Sequence, residues 1–87
     1  MDNNTRVLCA KIISLLREER ERRNLSKYFI AQESGLSPQM VAYVENGERN
    51  PTLETVLRMA KALGVDLCDI IQHARDELSK TKPSQRI

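Results

Sequence analysis

The sequence predicts an all-α fold built from five helices. Three observations carry this expectation. Ala, Leu, Ile, Glu, Arg and Lys dominate the 87 residues, and helices favour or accept all of them. Aromatic residues number only three (Tyr28, Phe29, Tyr43) and glycines only three, which argues against a β-sandwich or barrel. Apolar residues recur at three- and four-residue spacing between stops made of Ser, Pro, Asp and Gly.

The first helix is expected from Thr5 to Arg22. Leu8, Ile12 and Leu15 fall on one stripe, widened by Ile13, Leu16 and Val7. That arc is broader than one small core needs. The run from Arg17 to Arg23 then reads as a solvated surface with ion pairs at i,i+3 and i,i+4. Ser26 caps a second, short helix reaching Glu33, with Ile30 and Ala31 on its core side. Gly35 follows where a left-handed terminus belongs, and Leu36 turns into the core.

Ser37 caps the third helix, and Pro38 takes its first position, where a missing N–H costs little. This helix is expected over 38–46, with Val41 and Val44 inward and Gly47 ending it. Pro51-Thr52 opens a fourth helix with Leu53, Val56, Leu57, Ala60 and Leu63 on its apolar line, stopped by Gly64. Asp66 caps a fifth over 66–78, with the stripe Leu67, Ile70, Ile71, Ala74 and Leu78, and Asp69 near its positive dipole end. Residues 79–87 are polar with one proline and are expected to form a flexible tail after a single domain over 1–78.

Size and charge limit the function classes. A chain this short buries about 60 to 65% of its unfolded surface, enough for one modest core. Lys plus Arg number 14 and Asp plus Glu 12, so the net charge of +2 provides no broad positive field. Cys9 and Cys68 stand far apart, with neither a CxxC pair nor metal-ligand spacing, and are expected as small apolar residues of a reducing compartment. No metal and no cofactor is expected. Met1-Asp2-Asn3-Asn4 has no signal-peptide character, and no apolar run approaches the roughly 18 residues that span a bilayer, so a cytoplasmic protein without membrane contact is expected. The single histidine, His73, lies off the apolar stripe of the fifth helix, and the carboxylates are scattered as surface charge. Neither suggests acid–base catalysis, and no enzyme is expected.

The informative segment runs from Leu25 to Leu63. Two short helices flank a tight Gly35-Leu36-Ser37 turn, the spacing of a helix-turn-helix. Small Ala31 allows close approach of the helices. Val41 and Val44 fix the second helix to the core and leave its opposite face free for a DNA major groove.

Leu25-Ser26-Lys27, Ile30-Ala31, Gly35-Leu36-Ser37, Val41, the run Val44 to Val56 and Ala60 to Val65 together resemble the Cro/C1-type (XRE) helix-turn-helix family. The resemblance covers roughly Arg20 to Ile71. It implies a five-helix, lambda repressor-like domain with its helix-turn-helix core over 25–64, acting on double-stranded DNA. By position it implies base reading by Pro38, Gln39, Met40 and Tyr43. A glutamine amide can pair with adenine N6 and N7, Met40 can touch a thymine methyl, and Tyr43 lies one turn after Gln39. The alternatives are a solvated helix residue for Gln39 and a half-buried surface aromatic for Tyr43. The resemblance further implies phosphate contacts at Ser26, Lys27, Asn46, Gly47, Arg49 and Asn50, and a structural clamp between Glu45 and Arg20, with Arg17 the other possible partner.

The sequence departs from the family pattern in three places. Glu19 stands where a leucine usually precedes the clamp arginine. Tyr28 and Phe29 replace polar residues of the second helix. Pro38 replaces a polar base reader. Between residues 26 and 50, Lys27 and Arg49 face Glu33, Glu45 and Glu48, so the motif carries one excess negative charge. Phosphate neutralisation supplies much of DNA affinity, so one copy would bind weakly. A homodimer doubles the contacts and sets two recognition helices about 34 Å apart, one turn of DNA. Leu67, Ile70, Ile71, Ala74 and Leu78 are candidate dimer residues, unless the fifth helix only closes its own core. The reading is therefore a sequence-specific transcriptional regulator, a homodimer on a palindromic operator. The alternative is a protein-interaction module, antitoxin-like or an anti-repressor partner, that retains the fold and uses Tyr28 and Phe29.

Overall fold

Helix caps and left-handed exits divide the chain into five helices in this computed structural model, which describes residues 3–80. They are α1 (Asn3–Arg22), α2 (Lys27–Ser34), α3 (Pro38–Glu45), α4 (Leu53–Leu63) and α5 (Leu67–Lys80), with no strand among the described residues. The hydroxyl oxygens of Ser26, Ser37 and Thr52 accept the N–H groups of Phe29, Met40 and Thr55 at 2.9, 3.0 and 3.1 Å. Each satisfies a donor that the first helical turn leaves without an intrahelical partner. Asp66 Oδ1 does the same for the Cys68 N–H at 2.9 Å.

Four exits share one geometry. Asn24, Gly35, Gly47 and Gly64 take positive φ. The following N–H, from Leu25, Leu36, Glu48 or Val65, then donates five residues back to Arg20, Ala31, Tyr43 or Ala60. Asn24 was not foreseen as a stop, although asparagine is the side chain after glycine that most readily takes this conformation. At Gly35, with φ of 77°, a Cβ would come within 3.0 Å of Arg58 Nη1, so space and backbone both favour glycine.

The core is made of Leu16, Ile30, Ala31, Val41, Val44, Met59, Ala60, Leu63 and Leu67. Leu25, Leu36 and Val65, each directly after an exit, pack on its rim. On α4 the expected apolar line needs correction. Leu53 is 69% exposed and Leu57 is also exposed, while Met59 is buried. Met59, Ala60 and Leu63 define the core direction. At 100° per residue, Leu53 and Leu57 fall roughly 70° and 110° from it, on the flank of the helix. Cys9 and Cys68 are exposed and free.

Helix α5 packs antiparallel on α1. Lys11 Nζ meets Glu77 Oε1 at 2.7 Å near one end, and Ile70 and His73 share a shallow groove of about 370 Å³ with Leu15 and Arg22 near the other. Lys11, then His73, hold the Glu77 carboxyl below its ordinary pKa. Ala74 is fully buried, small enough for close approach of the two helices. The long α1 contributes to an elongated outline whose greatest extent is 48 Å. α5 continues to Lys80, two residues past the expected end at Leu78. The remainder of the expected tail, 81–87, and Met1 and Asp2 lie outside the described residues. No helix among the described residues is long and apolar enough to cross a membrane.

Candidate nucleic-acid interface

The orientation of α3 determines what this protein presents to a ligand. Val41 and Val44 are wholly buried and define its inner face. Glu45 lies on the same side, its side chain only 2% exposed. Arg20 of α1 meets it side-on, Nε donating to Oε2 at 2.7 Å and Nη2 to Oε1 at 3.0 Å. The third guanidinium nitrogen, Nη1, donates to the Leu25 carbonyl at 2.8 Å. The two charges thus compensate each other, and the planar guanidinium restricts rotation of α3. Hydrogen bonding to Glu45 raises the Arg20 pKa above the ordinary arginine value. Arg17 pairs with Glu21 at 3.3 Å instead.

With that face fixed, helical geometry turns Gln39, Tyr43 and Asn46 outward on one line. Gln39 and Asn46 are exposed and Tyr43 is half-buried. Gln39 Nε2 donates to the Tyr43 hydroxyl at 2.6 Å. The Arg49 guanidinium lies over the Tyr43 ring, 4.8 Å from its centroid. The i,i+4 spacing of Gln39 and Tyr43 was a readable signal for their contact. The Arg49 stack depends on the chain reversal after α3, which spacing along one helix does not reveal. Pro38 is exposed at the first position of α3. Met40 is half-buried and packs against the core, about 100° round the helix from Gln39. It flanks the outward line rather than lying on it.

The six residues expected near phosphates lie at the start of α2 and at the end of α3 and after it. Ser26 is exposed, its oxygen engaged as a cap acceptor and its hydroxyl proton still available as a donor. Lys27 is half-buried at the first position of α2. Asn46, Gly47, Arg49 and Asn50 form an exposed run after α3. A Cβ at Gly47 would meet nothing within 4 Å, so the backbone there stands open. Neither α2 nor α3 has an acidic residue in its first turn, so their positive dipole ends keep their charge.

Two further arginines position these elements; sequence reasoning assigned Arg58 no role and Arg23 only a place in the surface ion-pair run. Arg58 Nη1 donates to the Ser34 carbonyl at 3.1 Å while Glu54 holds its other nitrogens, which ties α4 to the end of α2. Arg23 Nη1 donates to the Leu63 carbonyl at 2.7 Å and so caps the end of α4 from the turn after α1. Tyr28 points outward from α2 at 61% exposure, its hydroxyl accepting from Gln32 at 3.1 Å, and Phe29 is also exposed. Of the candidate dimer residues, Leu67 and Ala74 are buried within the chain itself. Ile70, Ile71 and Leu78 are half-buried.

Comparison with known proteins agrees with the five-helix fold. The helix-turn-helix family profile matches residues 16–70. An uncharacterized HTH-type transcriptional regulator, y4dJ, from Sinorhizobium fredii is 35% identical over 52 residues, covering 60% of this chain and 68% of that protein. Among solved structures, a tyrosine-to-alanine mutant of the restriction–modification controller protein C.Esp1396I superposes with a TM-score of 0.77 at 20% identity. That match covers 84% of this chain and 95% of the other and supports the five-helix fold. With the family profile spanning well over half the chain, this protein belongs to the XRE-type helix-turn-helix family of DNA-binding transcriptional regulators.

Proposed function

We propose that this protein is a sequence-specific regulator that binds a palindromic operator as a homodimer, with α3 in the major groove. The observation that carries the proposal is the outward line of α3, where exposed Gln39 meets half-buried Tyr43 on the face opposite the core valines and Arg49 lies over the tyrosine ring. The Gln39 amide pairs with adenine, and Pro38 and Met40 border the bases on either side of the line. Lys27, Arg49 and the hydroxyl or amide groups of Ser26, Asn46 and Asn50 contact phosphates, and Gly47 lets the backbone approach.

The excess negative charge between residues 26 and 50 supports the dimer, because one copy neutralises few phosphates. Ile70, Ile71 and Leu78 remain partly exposed beside α1 and are the residues proposed to bury between copies. Selection of binding sites from a random DNA pool, followed by footprinting, tests the proposal. A two-fold symmetric site with half-sites one helical turn apart is expected. Absence of DNA binding at low salt sinks it. Operator selectivity that survives both Gln39→Ala and Tyr43→Ala removes α3 as the reader.

One observation favours a second reading, a protein-interaction role. Tyr28 and Phe29 place two aromatic rings in solvent on α2. Under that reading, Tyr28→Ala with Phe29→Ala abolishes capture of a protein partner and leaves DNA affinity unchanged.

A further inference from the structure

Gln39, Tyr43 and Arg49 touch in sequence, and their hydrogen-bonding capacity is unevenly spent. Gln39 uses one amide N–H on the Tyr43 oxygen at 2.6 Å. It retains the second N–H and its carbonyl oxygen, the donor and acceptor that an adenine edge requires. The Tyr43 oxygen has accepted, so its own proton is directed away from Gln39. The hydroxyl therefore meets DNA as a donor, which suits an acceptor such as thymine O4 or guanine O6 or N7.

The third member is placed by the backbone. Gly47 takes φ of 76°, and the next N–H, from Glu48, returns to the Tyr43 carbonyl at 2.9 Å. This reversal brings Arg49 back over the ring of Tyr43. A planar guanidinium can stack on the flat ring there, whereas an ammonium would be held by charge alone, without the planar contact that fixes the ring.

We propose that Gln39 and Tyr43 read two adjacent bases as one coupled unit, an adenine next to a base offering an acceptor, with Arg49 as the positioning residue that holds the tyrosine ring. This rests on the reading of α3 as the groove-facing helix. The two side chains orient each other, so loss of either disturbs recognition at both positions. Tyr43→Phe removes the hydroxyl and keeps the ring beneath Arg49.

The test is a double-mutant cycle on the selected operator, with base preference measured at every position. Gln39→Ala and Tyr43→Phe are each expected to weaken binding about 10-fold. Together they are expected to weaken it about 10- to 30-fold rather than the roughly 100-fold of independent contacts. Tyr43→Phe should relax preference at both adjacent positions. Arg49→Lys should keep the salt dependence of binding and lose the same base preference, as should Gly47→Ala, whose Cβ meets open space but whose backbone must distort. If the wild-type protein selects a site, losses that multiply, or a Tyr43→Phe profile changed at one position only, overturn the coupling and leave the proposed function standing. Full rescue of base preference by Arg49→Lys overturns the positioning role. If the wild-type protein selects no site, the proposed function fails and the coupling with it.

Discussion

At the scale of single residues, the buried Arg20–Glu45 pair makes the sharpest demand on the fold. Removing one partner strands a charge from which water is largely excluded. Glu45→Ala is therefore expected to cost about 3 to 5 kcal/mol in urea denaturation, whereas Arg20→Met with Glu45→Met should recover most of that loss. Glu19 makes a different prediction. Hydrogen bonds from Arg22 and then Arg23 hold its carboxyl down to about 2, against an ordinary 4.5. A depressed folded-state pKa means that this stabilisation is complete above pH 4.5 and is lost as pH falls toward 2. Glu19→Gln should flatten the acid limb of the stability curve in that window and leave its slope near neutrality unchanged. These two carboxylates also mark what the sequence reveals. The charged run from Arg17 to Arg23 was read as surface ion pairs, and Arg17, Glu19, Glu21 and Arg22 behave so. Arg20 in the same run turns inward to a partner 25 residues away, and Arg23, while pairing with Glu19 as read, also reaches the Leu63 carbonyl 40 residues away; local spacing specifies neither long-range contact.

At the scale of elements, the helix boundaries were largely legible because capping is local chemistry. Ser26, Ser37, Gly35, Gly47 and Gly64 act within a few residues of their own positions. Which flank of a helix is covered depends instead on its neighbours. An i,i+3,i+4 line assigns Leu53 and Leu57 to the core, but α4 packs on α1 and α2 with Met59 and Leu63 buried and the two leucines left exposed. Within the interface, the outward line of α3 follows from two buried valines, while the Arg49 stack needs the turn after the helix. The turn between α2 and α3 offers a direct test. Gly35→Ala should destabilise the protein by about 1 to 2 kcal/mol in thermal melts, from the positive φ and the displaced Arg58 contact to Ser34. Because that contact joins α4 to α2, DNA affinity should fall even at temperatures where the variant is folded.

For the whole molecule, the distribution of charge matters more than its sum of +2. The proposed interface has few cations, so each should be visible in the salt dependence of DNA binding. Lys27→Ala is expected to make the slope of log K against log salt shallower by about 0.9 per bound protomer, weakening all DNA sequences alike. A loss confined to one base position would identify Lys27 as a reader instead.

The antiparallel packing of α1 and α5 also bears on how the chain matures. Synthesis delivers α1 first and α5 after the other four helices described here. Until α5 emerges, the side of α1 that it packs against, with Leu15 beside Ile70, lacks its cover. The helix-turn-helix can gather local contacts as it leaves the ribosome, but closure of the core awaits a pairing between distant parts of the chain. The nascent protein therefore passes through an interval in which α2 and α3 are already made while a greasy seam on α1 is open to misassociation.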